Sequence, residues 1–339
     1  MLACMVDCEQ LADPPIITVI GGGTGSFMLL SELKHATPNI SAVVNMSDDG
    51  GSTGRLRDEL GVLPPGDIRQ CLVALSEIDE TRDMFNYRFE HGSLQGHSLG
   101  NIILSGLELR YGDFDQAIKI AAKLLSITGR VIPITTENHT LTMQDGDDYI
   151  QGEYVIGHRP ITNRSAKVTL DPQARISPQA RQAIVDSDMV VVAPGNLYGS
   201  LLPALAVGGL RQAFEDSKAR KVMVTNLVTK PGQTDGWHVV DYVKEVEKYC
   251  GHGTIDYVLY NIQMPSTELL EKYAADNEKP VNISQERFLT DTIKATPIGA
   301  ELLAKDIYSC NPADTAVRRT LIRHDARKVT AKLLEIAGD

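Results

Sequence analysis

The sequence lacks an excess of positive charge, and it lacks long apolar runs. Its 339 residues carry 33 Lys and Arg against 44 Asp and Glu, which gives a formal net charge of −11. This acidic balance disfavours nucleic acid as a partner, because nucleic acid requires a surplus of Lys and Arg on the surface that binds it. No apolar run approaches the ~20 residues that cross a bilayer, so we predict no membrane span.

Cysteine is also scarce. The five cysteines are scattered along the chain, and an odd, dispersed set favours reduced thiols over a disulfide framework. Residues 1–15 carry neither the basic segment nor the apolar segment of a signal peptide. We therefore predict a cytoplasmic protein in which residues 1–15 form a flexible tail.

The sequence does contain a repeated alternation of short apolar runs and amphipathic segments. Residues 16–20 form such a run and end in three glycines, residues 26–36 carry one apolar face, and residues 40–46 form the next run. A strand, a turn, a helix and a strand in this order close into a parallel sheet. The alternation returns over 177–260, so we predict an α/β fold: a Rossmann-like, doubly wound and mainly parallel sheet with a helical C-terminal part.

Two stretches interrupt this alternation. Residues 131–170 contain short β-like runs separated by turn signals, which predicts a small β-rich insertion. Residues 47–55 are rich in glycine and acid without any periodicity, which predicts a loop. We expect a single α/β domain over 16–330, followed by a short C-terminal end at 331–339.

The glycine-rich segment after the first predicted strand indicates a phosphate site. Glycines let the backbone approach a phosphate, and the helix that follows offers unpaired amides. The third glycine of a dinucleotide fingerprint is missing and no Lys follows as in a P-loop, so a plain tight turn is the alternative. The candidate phosphate-binding residues are Gly22, Gly23, Thr24, Gly25 and Ser26.

Adjacent carboxylates follow the second predicted strand, at the same edge of the sheet. Two such carboxylates beside phosphate donors suit a hydrated Mg²⁺ ion or the hydroxyls of a sugar. An acidic turn is the alternative. The candidate ligand-binding residues here are Asp48, Asp49, Gly51, Ser52 and Arg55, and Asp48 and Asp49 are also the candidate metal ligands.

Three further polar segments open predicted helices. In residues 64–69, Asp67 is predicted to cap its helix, and Arg69 places a cation in the first turn, which is unfavourable unless an anion binds there. Residues 97–101 open an apolar helix, where they either face a cavity or cap the helix. Residues 193–200 are predicted to form a second backbone-rich site for an anion. The candidates from these segments and from the end of the next strand are Asp67, Arg69, His97, Asn101, Gly195, Asn196, Tyr198, Ser200 and Asn226.

Several short motifs in a fixed order resemble the YvcK-like branch of the CofD family. They are GGGTG at 21–25, SDDGGSTGRL at 47–56, PPGDIR at 64–69 and GHSLGN at 96–101, followed by the segments 194–200, 234–236 and 323–325. The resemblance therefore covers about residues 16–327. It implies a Rossmann-like fold and a cytoplasmic gluconeogenesis factor that links carbon metabolism to envelope synthesis and cell shape.

The resemblance also implies a ligand. Proteins of this branch bind UDP sugars, chiefly UDP-N-acetylglucosamine, and no cofactor is established for them. By motif, Tyr273 and Arg323 correspond to the residues on which this binding depends. A tyrosine stacks on uridine or bonds to it, and an arginine pairs with a pyrophosphate oxygen.

Three functions remain open from the sequence. The favoured one is a regulatory protein that binds a UDP sugar without catalysis, is recognised by an unidentified protein partner and forms a homodimer. The second is the Mg²⁺-dependent transfer of a phospholactyl-type group from a nucleoside-diphosphate adduct, as in distant transferase members with an acidic pair like Asp48 and Asp49. Residues 50–55 follow the non-transferase branch. An NAD-dependent oxidoreductase is disfavoured by the missing third glycine.

Overall fold

The computed structural model describes residues 14–163, 165–304 and 321–338. In chain order its strands are β1 (Ile17–Gly21), β2 (Ile40–Val44), β3 (Arg130–Pro133), β4 (Thr140–Asp145), β5 (Asp148–Gln151), β6 (Lys167–Asp171), β7 (Met189–Val192), β8 (Arg220–Val224), β9 (Tyr257–Asn261) and β10 (Thr296–Ala300).

The helices lie between these strands and after the last of them. They are α1 (Gly23–Ala36), α2 (Gly51–Leu60), α3 (Gly66–Leu75), α4 (Asp79–Asn86), α5 (Leu99–Tyr111), α6 (Phe114–Leu125), α7 (Glu153–His158), α8 (Pro178–Val185), α9 (Leu202–Leu205), α10 (Leu210–Asp216), α11 (Val239–Cys250), α12 (Thr267–Ala275), α13 (Gln285–Thr290) and α14 (Ala326–Gly338). A π-helical turn, Leu197–Leu201, leads directly into α9.

A parallel sheet forms the centre of the described chain, with its strands in the order β10-β9-β8-β7-β1-β2-β3. β1, β2 and β7 are buried along their whole length. Strands of a parallel sheet are covered by helices on both faces, which is why they are continuous apolar runs in the sequence. The predicted α/β, Rossmann-like, doubly wound fold is therefore confirmed.

The β insertion exists and ends close to the predicted residue 170, because β6 ends at Asp171, but its predicted start at residue 131 is wrong. β3 is not part of it, because it pairs with β2 at the edge of the central sheet. The insertion is a separate antiparallel sheet in the order β5-β4-β6. Between β5 and β6 the chain turns at Gly152, whose φ of 96° is a conformation that favours glycine, and continues as α7.

The prediction of a loop over 47–55 is confirmed for residues 47–50 and wrong for residues 51–55, because α2 begins at Gly51. Its buried face consists of Ser52, Thr53, Gly54 and Leu56. Small side chains are required there, since a Cβ on Gly54 would lie 2.1 Å from the carbonyl oxygen of Asp49. A helix that buries small polar residues has no hydrophobic periodicity, which is why the pattern indicated a loop.

The two ends of the described chain pack onto the domain. The carbonyl oxygens of Pro14 and Pro15 accept hydrogen bonds from the side chains of Asn39 and Thr37, and the rest of the predicted tail, residues 1–13, lies outside the described residues. α14 continues across the predicted boundary at 330 and buries Leu333. None of the helices described is long and apolar enough to cross a membrane.

Candidate functional site

The strand order of the central sheet reverses at β1, which lies between β2 and β7. At such a reversal the connections after neighbouring strands diverge and leave a crevice where α/β proteins bind ligands. Segment 21–26 joins β1 to α1, and segment 193–200 follows β7. The two segments touch, because a Cβ on Gly25 would lie only 1.8 Å from the carbonyl oxygen of Pro194. The structure therefore brings the two predicted phosphate segments together.

The second of these segments is held by side-chain amides. Asn226, which follows β8, donates a hydrogen bond of 2.8 Å from Nδ2 to the carbonyl oxygen of Gly195. The side chain of Asn196 caps the π-helical turn by accepting from the amide of Gly199 at 3.3 Å. The ring of Tyr198 is buried beneath the segment, and Ser200 is half-buried. These contacts fix the backbone that would meet an anion.

The amino terminus of α1 already holds a carboxylate. The amide of Gly23 donates to Oδ1 of Asp67 at 3.0 Å, and a Cβ on Gly22 would lie 2.1 Å from Oδ2 of the same side chain. The prediction that Asp67 caps its own helix is wrong, because Pro65 occupies the cap position of α3. An aspartate here satisfies a free helix amide in the way that a bound anion does.

Two buried polar atoms in this region have unused bonding capacity. Oγ of Ser26 and Oδ1 of Asn45 form no hydrogen bond with any described residue, and both side chains are only 2% exposed. A Cβ on Gly21 would approach the Ser26 hydroxyl to 2.6 Å. Thr24, by contrast, is exposed. The sequence does not indicate Asn45 as a site residue, because Asn45 directly follows the apolar strand β2.

The predicted acidic pair divides into two roles. Asp48 accepts the amide of Gly50 at 3.0 Å through Oδ1. Asp49 caps α7, because its two oxygens accept the amides of Glu153 at 2.8 Å and Tyr154 at 2.7 Å. Asp49 therefore connects the central sheet to the insertion.

Glu153 is a member of this acidic cluster that the sequence did not indicate. Burial raises the pKa of Glu153 to about 8, and the charges of the neighbouring aspartates add to the shift. Burial together with the charge of Asp48 raises the pKa of Asp67 to about 7, and burial raises the pKa of Asp48 as well. No group of three or more potential metal ligands occurs among the described residues. Burial and mutual repulsion therefore favour the protonated forms of these carboxyl groups.

A buried polar network supports the start of α2. Oγ of Ser52 lies 2.9 Å from Nδ1 of His97 and accepts from Nδ2 of Asn101 at 3.3 Å. Nε of Arg69 donates to Oδ1 of Asn101 at 3.0 Å, and the guanidinium also bonds to Asn86. Burial and the charge of Arg55 lower the pKa of His97, which favours the neutral ring. The structure thus joins four predicted site residues into one positioning network.

Two members of the predicted site lie at the surface next to this network. Arg55 is exposed and donates to the backbone oxygen of Gln95 at 3.0 Å. Gly51, the first residue of α2, is also exposed and has a φ of 46°. Neither residue is buried in the crevice, so both are accessible.

Tyr273 and Arg323 are brought together although they lie far apart in the chain. The Tyr273 hydroxyl oxygen accepts the amides of Leu321 at 2.7 Å and Ile322 at 2.9 Å. Tyr273 is buried against Leu227, which follows β8. Burial raises the pKa of Tyr273, and the positive charge of Arg323 acts against this shift. Tyr273 therefore fastens the segment that carries Arg323.

Comparison with known proteins identifies the family of this chain. The family model described as 2-phospho-L-lactate transferase CofD matches residues 17–301. The putative gluconeogenesis factor of Thermotoga maritima is 38% identical over 318 residues, which cover 92% of this chain and 96% of that protein. The gluconeogenesis factor of Bacillus subtilis is 36% identical over 331 residues, which cover 96% of this chain and 99% of that protein.

A solved structure has the same fold. The X-ray crystal structure of protein BH3568 from Bacillus halodurans has a TM-score of 0.85 and 34% identity, covering 95% of this chain and 100% of its own. A second crystal structure from that organism, described as a member of the UPF0052 family, has a TM-score of 0.83. The family match, the sequence relatives and the crystal structures agree over nearly the whole chain, and this protein belongs to the CofD family.

Proposed function

We propose that this protein binds a nucleotide sugar of the UDP-N-acetylglucosamine class at the reversal of the strand order and acts as a regulatory protein. The observation that carries the proposal is the contact between segments 21–26 and 193–200 at Gly25 and Pro194. A diphosphate at this contact would lie beside the amino terminus of α1 on one side and beside segment 193–200 on the other. Ser26 lies within segment 21–26, and its buried hydroxyl has no hydrogen-bond partner among the described residues.

The remaining parts of the ligand have candidate partners on the same edge. Asn226 is positioned after β8 next to Gly195. Arg323 carries a planar guanidinium, which pairs with two oxygens of a pyrophosphate. Tyr273 holds the Arg323 segment through its hydroxyl, so we assign it a positioning role and assign the ligand contact to Arg323.

The names of the relatives support a metabolic role. Proteins from Thermotoga maritima and Bacillus subtilis are named gluconeogenesis factors. We propose that ligand binding here links carbon metabolism to envelope synthesis and cell shape, through a protein partner that recognises the bound state of a homodimer. Segment 50–55 connects the acidic pair to an exposed helix face, and glycine-rich segments of this kind reorder on ligand binding.

The description of the family as a transferase supports a second candidate function. In it, Asp48 and Asp49 hold Mg²⁺, which neutralises charge on a transferred phosphate-linked group. The donor set fits this function less well, because both oxygens of Asp49 accept backbone amides. We therefore rank binding above transfer.

The test is calorimetric titration with UDP-N-acetylglucosamine, GDP and NAD, each with and without Mg²⁺, followed by analysis of the ligand for products. We expect binding of the uridine sugar without turnover, and weaker binding in Tyr273→Ala. Tyr111→Ala is the matched control, because Tyr111 is exposed on α5. Mg²⁺-dependent binding of GDP with no binding of the uridine sugar would contradict the proposal and support the transferase.

A further inference from the structure

A cavity of about 200 Å³ lies between the segment that follows α7 and the segment that precedes α11. Its volume exceeds the ~150 Å³ that admits a benzene-sized ligand and is smaller than the ~300–1,000 Å³ of sites for drug-sized molecules. The cavity therefore suits a ligand of single-ring size and is too small for a nucleotide. Its lining includes Ile161, Thr162, Asn163, Tyr198, Asp235 and Trp237.

Hydrogen bonds join the two segments that enclose this cavity. The side-chain amide of Gln233 donates to the carbonyl oxygens of Ile156 at 2.9 Å and Arg159 at 3.0 Å. The backbone amide of Ile161 donates to the carbonyl oxygen of Gly232 at 2.7 Å. These bonds hold the cavity open before any ligand binds, and a preformed site loses less conformational entropy on binding.

Two aromatic side chains present unpaired polar atoms at the cavity. Tyr198 is 1% exposed and Trp237 is 5% exposed. The hydroxyl of Tyr198 and the indole N–H of Trp237 form no hydrogen bond with any described residue, and the protein does not enclose either atom completely. Because both side chains line the cavity and are otherwise buried, these two polar atoms are open to a ligand there.

The wall of the cavity also supplies an acceptor. Asp235 is the one charged side chain among the described residues that line it. Oδ2 of Asp235 accepts the amide of Gly232 at 2.6 Å, and Oδ1 is left to accept from a ligand. Burial raises the pKa of Tyr198, and nearby negative charges add to the shift, so its hydroxyl remains a donor. An anion at this wall would therefore meet a like charge.

We propose that this cavity binds a neutral polyhydroxylated ring of the monosaccharide class, as a molecule separate from the nucleotide. A hydroxyl group both donates and accepts, so the hydroxyls of such a ring can pair with Trp237, Tyr198 and Asp235. The apolar surface of Ile161 and of the aromatic side chains suits the C–H groups of the same ring. The inference does not rest on the proposed function, because none of these contacts involves a phosphate.

The first experiment follows Trp237, which is the single tryptophan of the chain, so that its fluorescence reports on the cavity directly. We would titrate the full chain with glucose and N-acetylglucosamine, and with the 6-phosphate of each. We expect a saturable change in emission with a neutral sugar and at least about tenfold weaker binding of its phosphate ester. No saturable change with either neutral sugar, or equal or tighter binding of the phosphate ester, would overturn the inference.

The second experiment repeats the titration in saturating UDP-N-acetylglucosamine. Tyr198 belongs to segment 193–200, so the sugar of a bound nucleotide is a second source of the same chemistry. Binding of the free sugar should persist. Its loss would mean that the nucleotide sugar fills the cavity, which would overturn the inference and leave the proposed function standing. If UDP-N-acetylglucosamine does not bind, the proposed function fails, and the titration without nucleotide still decides the inference.

The third experiment alters the protein. Tyr198→Phe keeps the ring and removes a hydroxyl that bonds to no described residue, so the variant should fold without loss of stability. We expect at least about tenfold weaker binding of the neutral sugar. Tyr154→Phe is the matched control, because Tyr154 is exposed on α7 and lies outside the lining. Unchanged binding in Tyr198→Phe, or an equal loss in Tyr154→Phe, would overturn the inference.

Discussion

The amide of Gly23 and the carboxylate of Asp67 form a 3.0 Å hydrogen bond across 44 residues of sequence. This bond joins the start of α1 to the first turn of α3. Because the pKa of Asp67 is raised to about 7, the group that occupies the helix end changes charge near physiological pH. The bond therefore connects the stability of the site to its protonation.

Asp67 should make the protein less stable as the pH rises. Its carboxyl has an ordinary pKa of 3.8 and a pKa of about 7 in the fold. Between these values the folded state holds the proton more tightly than the unfolded state, so stability falls as pH rises from about 4 to about 7, by on the order of 1.4 kcal/mol per pH unit. In Asp67→Asn this fall should be smaller. Urea unfolding at pH 5 and pH 7.5 measures it.

The control for this prediction is Asp58→Asn, because Asp58 is an exposed acid on α2. It should leave the pH dependence of the unfolding free energy unchanged. If Asp67→Asn shows the same slope against pH as the unaltered protein, the raised pKa of Asp67 is contradicted.

Glu153 should make ligand affinity depend on pH. Its carboxyl is raised to a pKa of about 8, and it lies close to segment 193–200, since a Cβ on Gly199 would be 2.4 Å from Oε1. Loss of the proton creates a negative charge that repels a phosphate. We expect the affinity for UDP-N-acetylglucosamine to fall as pH rises through 8, and to fall less in Glu153→Gln. Calorimetry from pH 6.5 to 9 tests this, and parallel profiles would contradict it.

Gly25→Ala should separate the two phosphate segments. Its Cβ would lie 1.8 Å from a backbone oxygen of Pro194, and overpacking of this kind costs about 1–3 kcal/mol of stability. We expect a lower unfolding free energy and loss of UDP-N-acetylglucosamine binding.

Gly106→Ala is the matched control on the exposed side of α5, where a Cβ meets no described atom within 4 Å. It should stabilise the protein by about 0.5–1 kcal/mol, because alanine suits a helix better than glycine. A neutral effect of Gly25→Ala on both stability and binding would show that the segments do not need this contact.

Asp49→Ala should act mainly through α7. The carboxylate accepts two amides at the start of that helix, and loss of such a cap costs about 0.5–2 kcal/mol. We expect the loss of unfolding free energy to be the same with and without Mg²⁺. Stabilisation of the unaltered protein by Mg²⁺ that disappears in Asp49→Ala would instead assign this residue to a metal.

Tyr273→Phe should release the segment that carries Arg323. The variant keeps the buried ring and leaves the amides of Leu321 and Ile322 without their acceptor. The loss costs about 1–3 kcal/mol at the buried amide of Ile322. Hydrogen exchange should become faster at these two amides, and binding of the uridine sugar should weaken. Exchange of these two amides at the rate of the unaltered protein would contradict the positioning role of Tyr273.

Much of the fold could be predicted from the sequence because the central strands are local signals. Parallel strands covered on both faces must be continuous apolar runs, and those runs, with the glycines after β1, predicted the doubly wound sheet. β10 gave no such signal, because it is an edge strand of sequence TPIGA with mostly exposed residues. α2 was missed for the opposite reason, since its buried face consists of small polar residues.

The sequence by itself therefore determined the layered α/β architecture, which follows from apolar periodicity, and it predicted two glycine-containing segments as phosphate sites. Only the tertiary structure decided the partners: Asp67 with Gly23, Asp49 with α7, and Glu153 within the acidic cluster. These relationships depend on burial and on distance between residues far apart in the chain. A local pattern of residues does not encode either quantity, because both arise only when the sheet and its insertion are packed together.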